Sequence, residues 1–275
     1  MIVKILMENL SDGMPGITGM HGLSYYIETG KHRLLMDTGP SPATWNNALT
    51  MGVDISGIDT VVLSHGHYDH CGGVLSFSEK NGTAPVFIRP EAFGNFIHLK
   101  PGEEKYIGID PEIRNLPQIR TVPADYDIDE NIHLFSNVTG RRLWPRGNTH
   151  LKKKLNSGLL VQDIFDHEQY LVITESGKSV LFSGCAHNGI LNILDVFRNK
   201  YGRDPDAVFS GFHMARTAEQ TPDDIKNIRS TAEELKSMNT VFYTGHCTGQ
   251  EPFDIMKTIM GDRLFYAKCG DSFRI

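Results

Sequence analysis

Residues 64–73 constrain this chain more than any other segment, because they read Ser-His-Gly-His-Tyr-Asp-His-Cys-Gly-Gly. Three imidazoles and a carboxylate fall within six positions, at His65, His67, Asp69 and His70. Imidazole nitrogen and carboxylate oxygen are ligand types that hold zinc, and also manganese or iron. A solvent-exposed polar loop is the alternative, but it does not explain why such donors are crowded together. The segment therefore predicts a metal-binding loop.

The neighbours of this loop indicate how it is held. Residues 59–63 read Asp-Thr-Val-Val-Leu, an apolar strand, and an apolar helix is expected from Gly73. If the strand ends at Ser64, the first two histidines point from the first turn toward one metal. The aspartate and the third histidine then turn toward a second position a few ångströms away. One short loop is therefore expected to contribute to two metal sites.

These residues resemble the metallo-β-lactamase fold superfamily, whose hallmark is a His-x-His-x-Asp-His signature. Residues 34–39, Leu-Leu-Met-Asp-Thr-Gly, are similar to its first motif, in which the aspartate, here Asp37, supports the histidine loop without binding metal. Residues 183–187 and 243–249 follow apolar strands and are similar to the remaining ligand motifs. The resemblance covers nearly the whole chain and implies an α/β fold, a four-layer αββα sandwich.

The strings Gly-Cys-x-His, Gly-Phe-His and His-Cys-Thr-Gly are most similar to one branch of that superfamily. This branch includes the archaeal dihydropterin ribofuranosylaminobenzene phosphate synthases, and many of its members are called metal-dependent hydrolases. The resemblance implies two divalent metal ions, with zinc preferred over manganese or iron. The implied ligands form two groups, His65, His67 and His187 in one and Asp69, His70 and His246 in the other.

The chain departs from the commoner pattern at one position. That pattern has a bridging aspartate in a Gly-Asp pair after the strand, whereas this chain has Cys185 after a Ser-Gly pair. Cys185 either binds as a thiolate or packs as a small apolar residue while His187 supplies the ligand. The third histidine of the superfamily normally comes before that strand. His167 is the candidate there, but it lies in the charged run Asp-His-Glu and is expected at the surface.

Two further residues are candidates for catalysis. His213 follows the predicted strand 207–209 and is surplus to two sites of three ligands. It is expected either to contact the substrate, by stabilising an oxyanion or phosphate or by donating a proton, or to support the site through hydrogen bonds. Asp69 is expected both to bind a metal and to orient the nucleophile.

Residues 97–131 and 138–158 are predicted to be irregular lids, because the first is rich in proline and charge and the second is basic. The second contains Arg141, Arg142 and Arg146 and no acidic residue. Arginine grips phosphate bidentately, so this block is a candidate substrate-binding element, and a solvated loop is the alternative.

Composition limits the possible partners. The 275 residues are 40% hydrophobic and 22% charged, which predicts a large core, and no linker or repeat divides the single domain 1–275. The net charge of −6 argues against general nucleic-acid binding, so a small anionic molecule is the expected partner. No apolar run approaches the roughly 18 residues of a membrane span, and the first residues do not read as a secretory signal, so a cytoplasmic location is expected. The sequence leaves the oligomeric state open.

The four cysteines show neither paired spacing nor the density of a disulfide scaffold. Cys71, Cys185 and Cys247 each lie beside a motif histidine. Reduced thiols near a metal cleft, and an activity sensitive to oxidation, are therefore expected.

The hydrophobic pattern alternates strands and helices. A helix is expected from Ser41 and Pro42, with Ala48 and Leu49 on its apolar stripe. Further helices are predicted over 188–199 and 222–236, and strands over 2–6, 23–27, 33–36, 85–88, 170–174, 180–182, 207–209 and 240–243.

Three classes of function remain open. The leading one is a metal-dependent hydrolase that uses a metal-activated water on a phosphorylated or other anionic small molecule. The second is a transferase that condenses a pterin pyrophosphate with a ribofuranosylaminobenzene phosphate. A redox di-iron protein is less favoured, because the related di-iron branch has a glutamate where this chain has His67. A non-catalytic metal-binding protein is a further alternative.

Overall fold

The computed structural model describes residues 1–11, 13–216 and 219–275. Its helices are α1 (Ala43–Thr50), α2 (Tyr68–Cys71), α3 (Val74–Lys80), α4 (Ile190–Tyr201), α5 (Pro222–Lys236) and α6 (Gln250–Met260). Its strands are β1 (Ile2–Met7), β2 (Ser24–Glu28), β3 (Arg33–Met36), β4 (Thr60–Val62), β5 (Val86–Ile88), β6 (Phe96–Lys100), β7 (Glu103–Tyr106), β8 (Ile119–Thr121), β9 (Tyr126–Asp127), β10 (Ile132–Ser136), β11 (Leu151–Lys154), β12 (Leu160–Gln162), β13 (Gln169–Glu175), β14 (Lys178–Phe182), β15 (Ala207–Phe209), β16 (Val241–Thr244), β17 (Leu264–Tyr266) and β18 (Ser272–Arg274).

The strands form two large sheets and one small one. The first sheet has the order β18-β1-β2-β3-β4-β5-β8, antiparallel up to β3 and parallel from β3 onward. The second has the order β17-β16-β15-β14-β13-β10-β9, and its strands β14 to β17 are parallel. Because parallel strands need long crossover connections, helices come to cover these sheets.

The two large sheets pack face to face. Side chains alternate across each strand, so Tyr25 and Ile27 of β2 point to the second sheet while Tyr26 points away from it. The rings of Phe182 and Phe209 stack between the sheets with centroids 5.2 Å apart. This inner layer is apolar, and burying each such aromatic ring contributes about 2 kcal/mol.

Helices cover the two outer faces. Helices α1 and α3 pack Trp45 and Phe77 on the first sheet, and α4, α5 and α6 pack on the second. Helix α5 begins with a capping box in which the Thr221 and Asp224 side chains each accept a hydrogen bond from the other's backbone N–H. The predicted four-layer αββα sandwich is therefore confirmed. No helix in the described ranges is both long enough and apolar enough to span a bilayer.

Helix α1 corrects one sequence expectation. It begins at Ala43, and its inward face is formed by Trp45 and Ala48. Leu49 follows one position later, about 100° farther round the helix, and is 78% exposed. The prediction that Leu49 lies on the buried stripe was wrong.

The stretches 97–131 and 138–158 are more regular than the predicted irregular lids. Strands β6, β7, β11 and β12 form a four-stranded antiparallel sheet in the order β12-β11-β6-β7, hereafter the roof sheet. Strands β8 and β9 instead extend the two large sheets. Phe96, Ile107, Leu151 and Phe165 pack together as a small core beneath the roof sheet. These long-range strand pairings order two segments whose content of proline and charged residues is typical of loops.

The site lies where parallel strands end. Strands β3 and β4 are parallel neighbours, as are β14, β15 and β16, so the loops after each group leave from a common edge. In α/β sheets, ligands bind in the crevice beyond the carboxyl ends of such strands. The loops that carry the histidine motifs follow β4, β14 and β16 and meet there.

Candidate metal centre

A triangle of histidine rings forms the first part of the site. The ring centroids of His65, His67 and His187 lie 4.5 to 4.9 Å apart, each pair edge to face. All three rings are buried, and their Nε2 atoms have no hydrogen-bond partner. A buried polar atom without a partner costs roughly 1–3 kcal/mol. Three such atoms in one place fit a bound cation, which would accept their lone pairs.

Hydrogen bonds at Nδ1 of His187 and His246 leave the Nε2 atom of each ring free. His187 Nδ1 lies 3.0 Å from the Asn148 side-chain oxygen, and His246 Nδ1 lies 2.8 Å from that of Asn9. Because each amide oxygen can only accept, Nδ1 carries the proton and Nε2 keeps its lone pair for a metal. The sequence did not indicate Asn148 or Asn9, since both lie far along the chain from the histidines that they orient.

Asp69, His70, His246 and Cys185 form the second part of the site. The Asp69 carboxylate lies 3.3 Å from His246 Nε2, and His70 Nε2 lies 3.2 Å from Cys185 Sγ. Two ligands of one tetrahedral cation, each bound at 2.0–2.3 Å, lie about 3.3–3.8 Å apart. These donors are therefore spaced as ligands of a common cation.

Cys185 belongs to both parts. Its sulfur lies within 4.8 Å of donor atoms of His65 and His187, and also of His70 and His246. It therefore lies between the two groups. Of the two interpretations of Cys185, the geometry favours that of a metal ligand.

Asp37 holds the histidine loop from behind. Its carboxylate lies 2.6 Å from His70 Nδ1 and accepts hydrogen bonds of 2.7 Å from both the backbone N–H and the hydroxyl of Ser64. Burial lowers the pKa of His70, but the charges of Asp37 and Asp69 outweigh burial and raise it to about 9. The same charges would favour a metal cation at this position. Asp37 makes the supporting contacts that its motif predicts.

The buried ring of His67 is suited to be a neutral ligand. Burial, reinforced by the nearby His167, lowers the pKa of His67 to about 3. The imidazole is therefore uncharged at neutral pH, as metal binding requires.

His167 is buried, and the expectation that it lies at the surface was wrong. Its Nδ1 accepts a hydrogen bond of 3.0 Å from the Gly66 N–H, and its Nε2 lies 3.2 Å from the Asp163 carboxylate. Both ring nitrogens are therefore occupied. His167 positions the backbone between His65 and His67. The charged neighbours of His167 suggested an exposed segment, but Glu168 of that segment is buried as well.

Glu168 supports the second ligand loop. Its carboxylate accepts hydrogen bonds of 2.6 Å from the His187 N–H and 3.0 Å from the Asn188 N–H. The Tyr170 hydroxyl donates to the same carboxylate at 2.7 Å. These bonds fix the turn that carries His187, whose ring also stacks on Phe165 with centroids 4.4 Å apart.

His21 is a candidate that sequence reasoning missed. Its Nε2 lies 3.3 Å from the Asp69 carboxylate, and its ring centroid lies 4.9 Å from that of His246. It has no motif around it, and 48 positions separate it from Asp69. Only the folded chain brings it to the site.

His213 lies beside the ligands and faces a cavity. Its backbone has a φ of 51°, in the left-handed region, and its ring centroid lies 4.2 Å from that of His187. Its Nδ1 is buried and has no hydrogen-bond partner. This position is compatible with contact to a substrate.

The cavity above the ligands has a volume of about 730 Å³. Its floor contains His67, Asp69, Cys185, His187 and His246, and the roof sheet closes the other side. The wall carries three cationic side chains, while Asp69 is the one acidic residue among the described lining residues. The cations are Lys105, Arg146 and Arg216. Among its described lining residues the cavity therefore has more cationic than acidic side chains, in a chain of net charge −6.

Comparison with known proteins agrees with this geometry. Residues 17–152 match the family model of the metallo-beta-lactamase superfamily. A solved metal-dependent hydrolase of the beta-lactamase superfamily, Tm1679, is 28% identical, and the alignment covers 100% of this chain and 99% of that one with a TM-score of 0.82. The chain belongs to the metallo-beta-lactamase superfamily.

Two relatives from Methanocaldococcus jannaschii extend the comparison. The uncharacterized protein MJ0448 is 28% identical over 90% of this chain and 91% of its own length. The 7,8-dihydropterin-6-methyl-4-(beta-D-ribofuranosyl)-aminobenzene-5'-phosphate synthase is 28% identical over 83% of this chain and 81% of its own length. The fold of this superfamily generally binds divalent metals, and the donor set described above suits them.

The structure separates the three arginines that the sequence grouped together. Arg146 lines the cavity of this metallo-beta-lactamase-superfamily protein, whereas Arg141 and Arg142 do not. Arg141 bonds to the Asn188 side chain and to a backbone carbonyl, and Arg142 pairs with Asp195 and Glu234 on helices α4 and α5. The structure therefore places Arg141 and Arg142 away from the cavity, contrary to the prediction that grouped them with Arg146.

Proposed function

We propose that this protein is a metal-dependent hydrolase that acts on a phosphorylated or other anionic small molecule. The observation that carries the proposal is the convergence of four buried, unpartnered Nε2 atoms at and beneath the floor of a cavity whose wall carries three cationic side chains. They belong to His65, His67, His187 and His246. Because these residues come from both large sheets, we further propose that residues 1–275 act as one catalytic domain.

The donor set supports two divalent cations, and zinc is the metal that we propose. Imidazole and thiolate suit zinc, and the thiol of Cys185 disfavours hard cations such as magnesium and calcium. One cation would be held by His65, His67 and His187 and the other by Asp69, His70 and His246, with Cys185 between them. Bound divalent cations supply Lewis acidity and lower the pKa of water to near neutrality.

The protein's own residues would position the reactants. Asp69 points its carboxylate into the cavity between His21 and His246, where it can accept a hydrogen bond from an attacking water and orient it. His213 reaches the cavity beside His187 and is the proposed proton donor to the leaving group.

The cavity wall would hold the anionic part of the substrate. Lys105 extends from β7 of the roof sheet, and Arg146 lies in the loop before β11. Arg146 and Arg216 both bond to the Asp224 carboxylate, which orients their guanidinium groups. The Trp144 indole N–H is buried without a partner and is available to a substrate oxygen. Together these groups favour a phosphate over a neutral group.

Metal analysis combined with a substrate panel tests the proposal. Freshly purified protein is analysed for bound metals and then assayed on phosphomonoesters, phosphodiesters and lactones. We expect divalent metal in the protein, turnover of a phosphate ester, loss of turnover on chelation and recovery on adding zinc. Fully metal-loaded protein without turnover on any member of the panel would instead favour a metal-binding role.

The similarity to the pterin-pathway synthase from M. jannaschii favours a second candidate, a transferase that condenses two substrates. Incubation with a dihydropterin pyrophosphate and ribofuranosylaminobenzene phosphate, followed by mass analysis, separates the two candidates. A condensed product with release of pyrophosphate supports the transferase. A hydrolysed pterin without condensation supports the hydrolase.

A further inference from the structure

Two thiols face each other beside the histidine ligands. Cys185 follows β14 and Cys247 follows β16, and both are buried yet line the cavity. The Cys247 sulfur lies 3.6 Å from the backbone carbonyl oxygen of Cys185. Strand β15 lies between their two strands and ends before His213. Three adjacent parallel strands thus deliver two thiols and an imidazole to one place.

The three donor atoms are close enough to share one cation. The two sulfurs and a ring nitrogen of His213 all lie within 4.8 Å of one another. For zinc, bonds of about 2.3 Å to sulfur and 2.0–2.1 Å to nitrogen place tetrahedral ligands about 3.3–3.8 Å apart. His213 Nδ1 is buried and has no hydrogen-bond partner, so a donor is available.

The backbone is shaped to leave room for this arrangement. A Cβ on Gly211 would lie 2.4 Å from the Cys247 sulfur, so any side chain at position 211 would displace the thiol. Two residues later His213 adopts the left-handed conformation with a φ of 51°, which is uncommon for a residue other than glycine. Such a strained conformation persists only where surrounding structure holds it, and it is typical of functional sites.

We propose that Cys185, Cys247 and His213 form a sulfur-rich cation site that takes a thiophilic d¹⁰ ion such as zinc or cadmium. Each thiol loses its proton to solvent as its sulfur binds the cation, so two protons are released and no redox partner is needed. The fourth position of a tetrahedral cation is open to the cavity. The site shares Cys185 with the two histidine groups and takes up His213, which cannot also donate a proton while it binds the cation, and it alone uses Cys247.

Cadmium absorption tests this assignment on the full-length protein. Cadmium is titrated under reducing conditions, and the ultraviolet charge-transfer absorbance from sulfur to cadmium is recorded. We expect Cys247→Ser to lose about half of the wild-type band, because one of two sulfur ligands is removed. Cys269→Ser is the matched control, since that buried thiol bonds to the carbonyl of Leu6 and does not line the cavity.

The outcomes separate this inference from the proposed function. If Cys247→Ser keeps the full band while Cys185→Ser loses it, Cys185 serves only the histidine groups and the sulfur-rich site does not exist. That result would leave the proposed hydrolase intact. Cadmium-113 NMR of the wild-type protein needs no variant, because each site gives its own resonance. A resonance shifted downfield by two sulfur ligands supports the inference, and its absence overturns it.

Discussion

The floor and the roof of the cavity are built in opposite ways. The floor consists of loops after β4, β14 and β16, and its proposed ligands are buried and held by further buried hydrogen bonds, such as those of Asp37 and Glu168. The roof sheet is exposed along β7 and carries charged side chains such as Lys105. Rigid strand ends position the proposed metal ligands, and a peripheral element presents the charges. Floor changes should therefore alter metal binding, and roof changes should alter substrate affinity alone.

The largest effect is expected from removing floor ligands. His67→Ala and His246→Ala should each lower metal affinity by more than about 100-fold, because loss of a ligand costs more than loss of its supporting partner. Elemental analysis of the purified variants measures this, with circular dichroism as a check on folding. His98→Ala is the control, since that imidazole lies on the roof sheet and lines the same cavity. Unchanged metal stoichiometry in either floor variant would remove that histidine from the site.

A smaller effect is expected from the support behind the floor. Asp37→Asn replaces the carboxylate on His70 with a neutral amide, and we expect a loss of about 10–100-fold in activity before metal is lost. Asp59→Asn is the matched control, because Asp59 pairs with His32 outside the cavity. Measuring kcat together with metal content shows whether activity is lost while the metal is still bound. Wild-type kinetics in Asp37→Asn would mean that this carboxylate does not support the metal loop.

Substrate affinity should respond to the cavity wall. Once a substrate is known, Arg146→Met should raise KM about 10-fold with metal content unchanged, because a hydrogen bond to a charged group contributes about 1.5–3 kcal/mol and part of this arginine is exposed. Arg142→Met should leave KM unaltered, since that guanidinium pairs with α4 and α5 away from the cavity. Equal changes of KM in Arg146→Met and Arg142→Met would contradict the assignment of Arg146, and not Arg142, to the cavity wall.

The smallest effect is expected at His32, which lies outside both the floor and the roof of the cavity. Burial lowers the pKa of His32, but the hydrogen bonds that its ring donates to Asp129 and Asp59 outweigh burial and raise it. The contribution of this pairing to the free energy of unfolding is therefore complete below the unfolded pKa of about 6.5. It is lost as the pH rises through the higher folded pKa. For such a surface pair we expect less than about 1 kcal/mol. Urea unfolding of wild type and His32→Asn on both sides of this range measures it, and parallel curves would exclude the contribution.

Local patterns predicted the elements and the main donors. The strands 33–36 and 207–209 and the helix 222–236 match their predicted bounds, because their hydrophobic periods and caps lie within a few residues. Likewise, four donors within six positions predict a metal loop before any fold is known. Such features depend on neighbours along the chain, whereas the αββα sandwich and the six proposed ligands came from the resemblance of the motifs to the superfamily.

Long-range packing settled the rest. The partner of His167 is the Gly66 N–H, 101 positions away, and that of His246 is Asn9, 237 positions away. No local pattern specifies such partners, since burial depends on which surfaces meet after the sheets form. For the same reason a charged run proved to be buried, two presumed loops paired into a sheet, and one arginine of three faced the cavity. Chain-local chemistry predicted what this protein can bind, and the packing of distant segments determined how each donor is held.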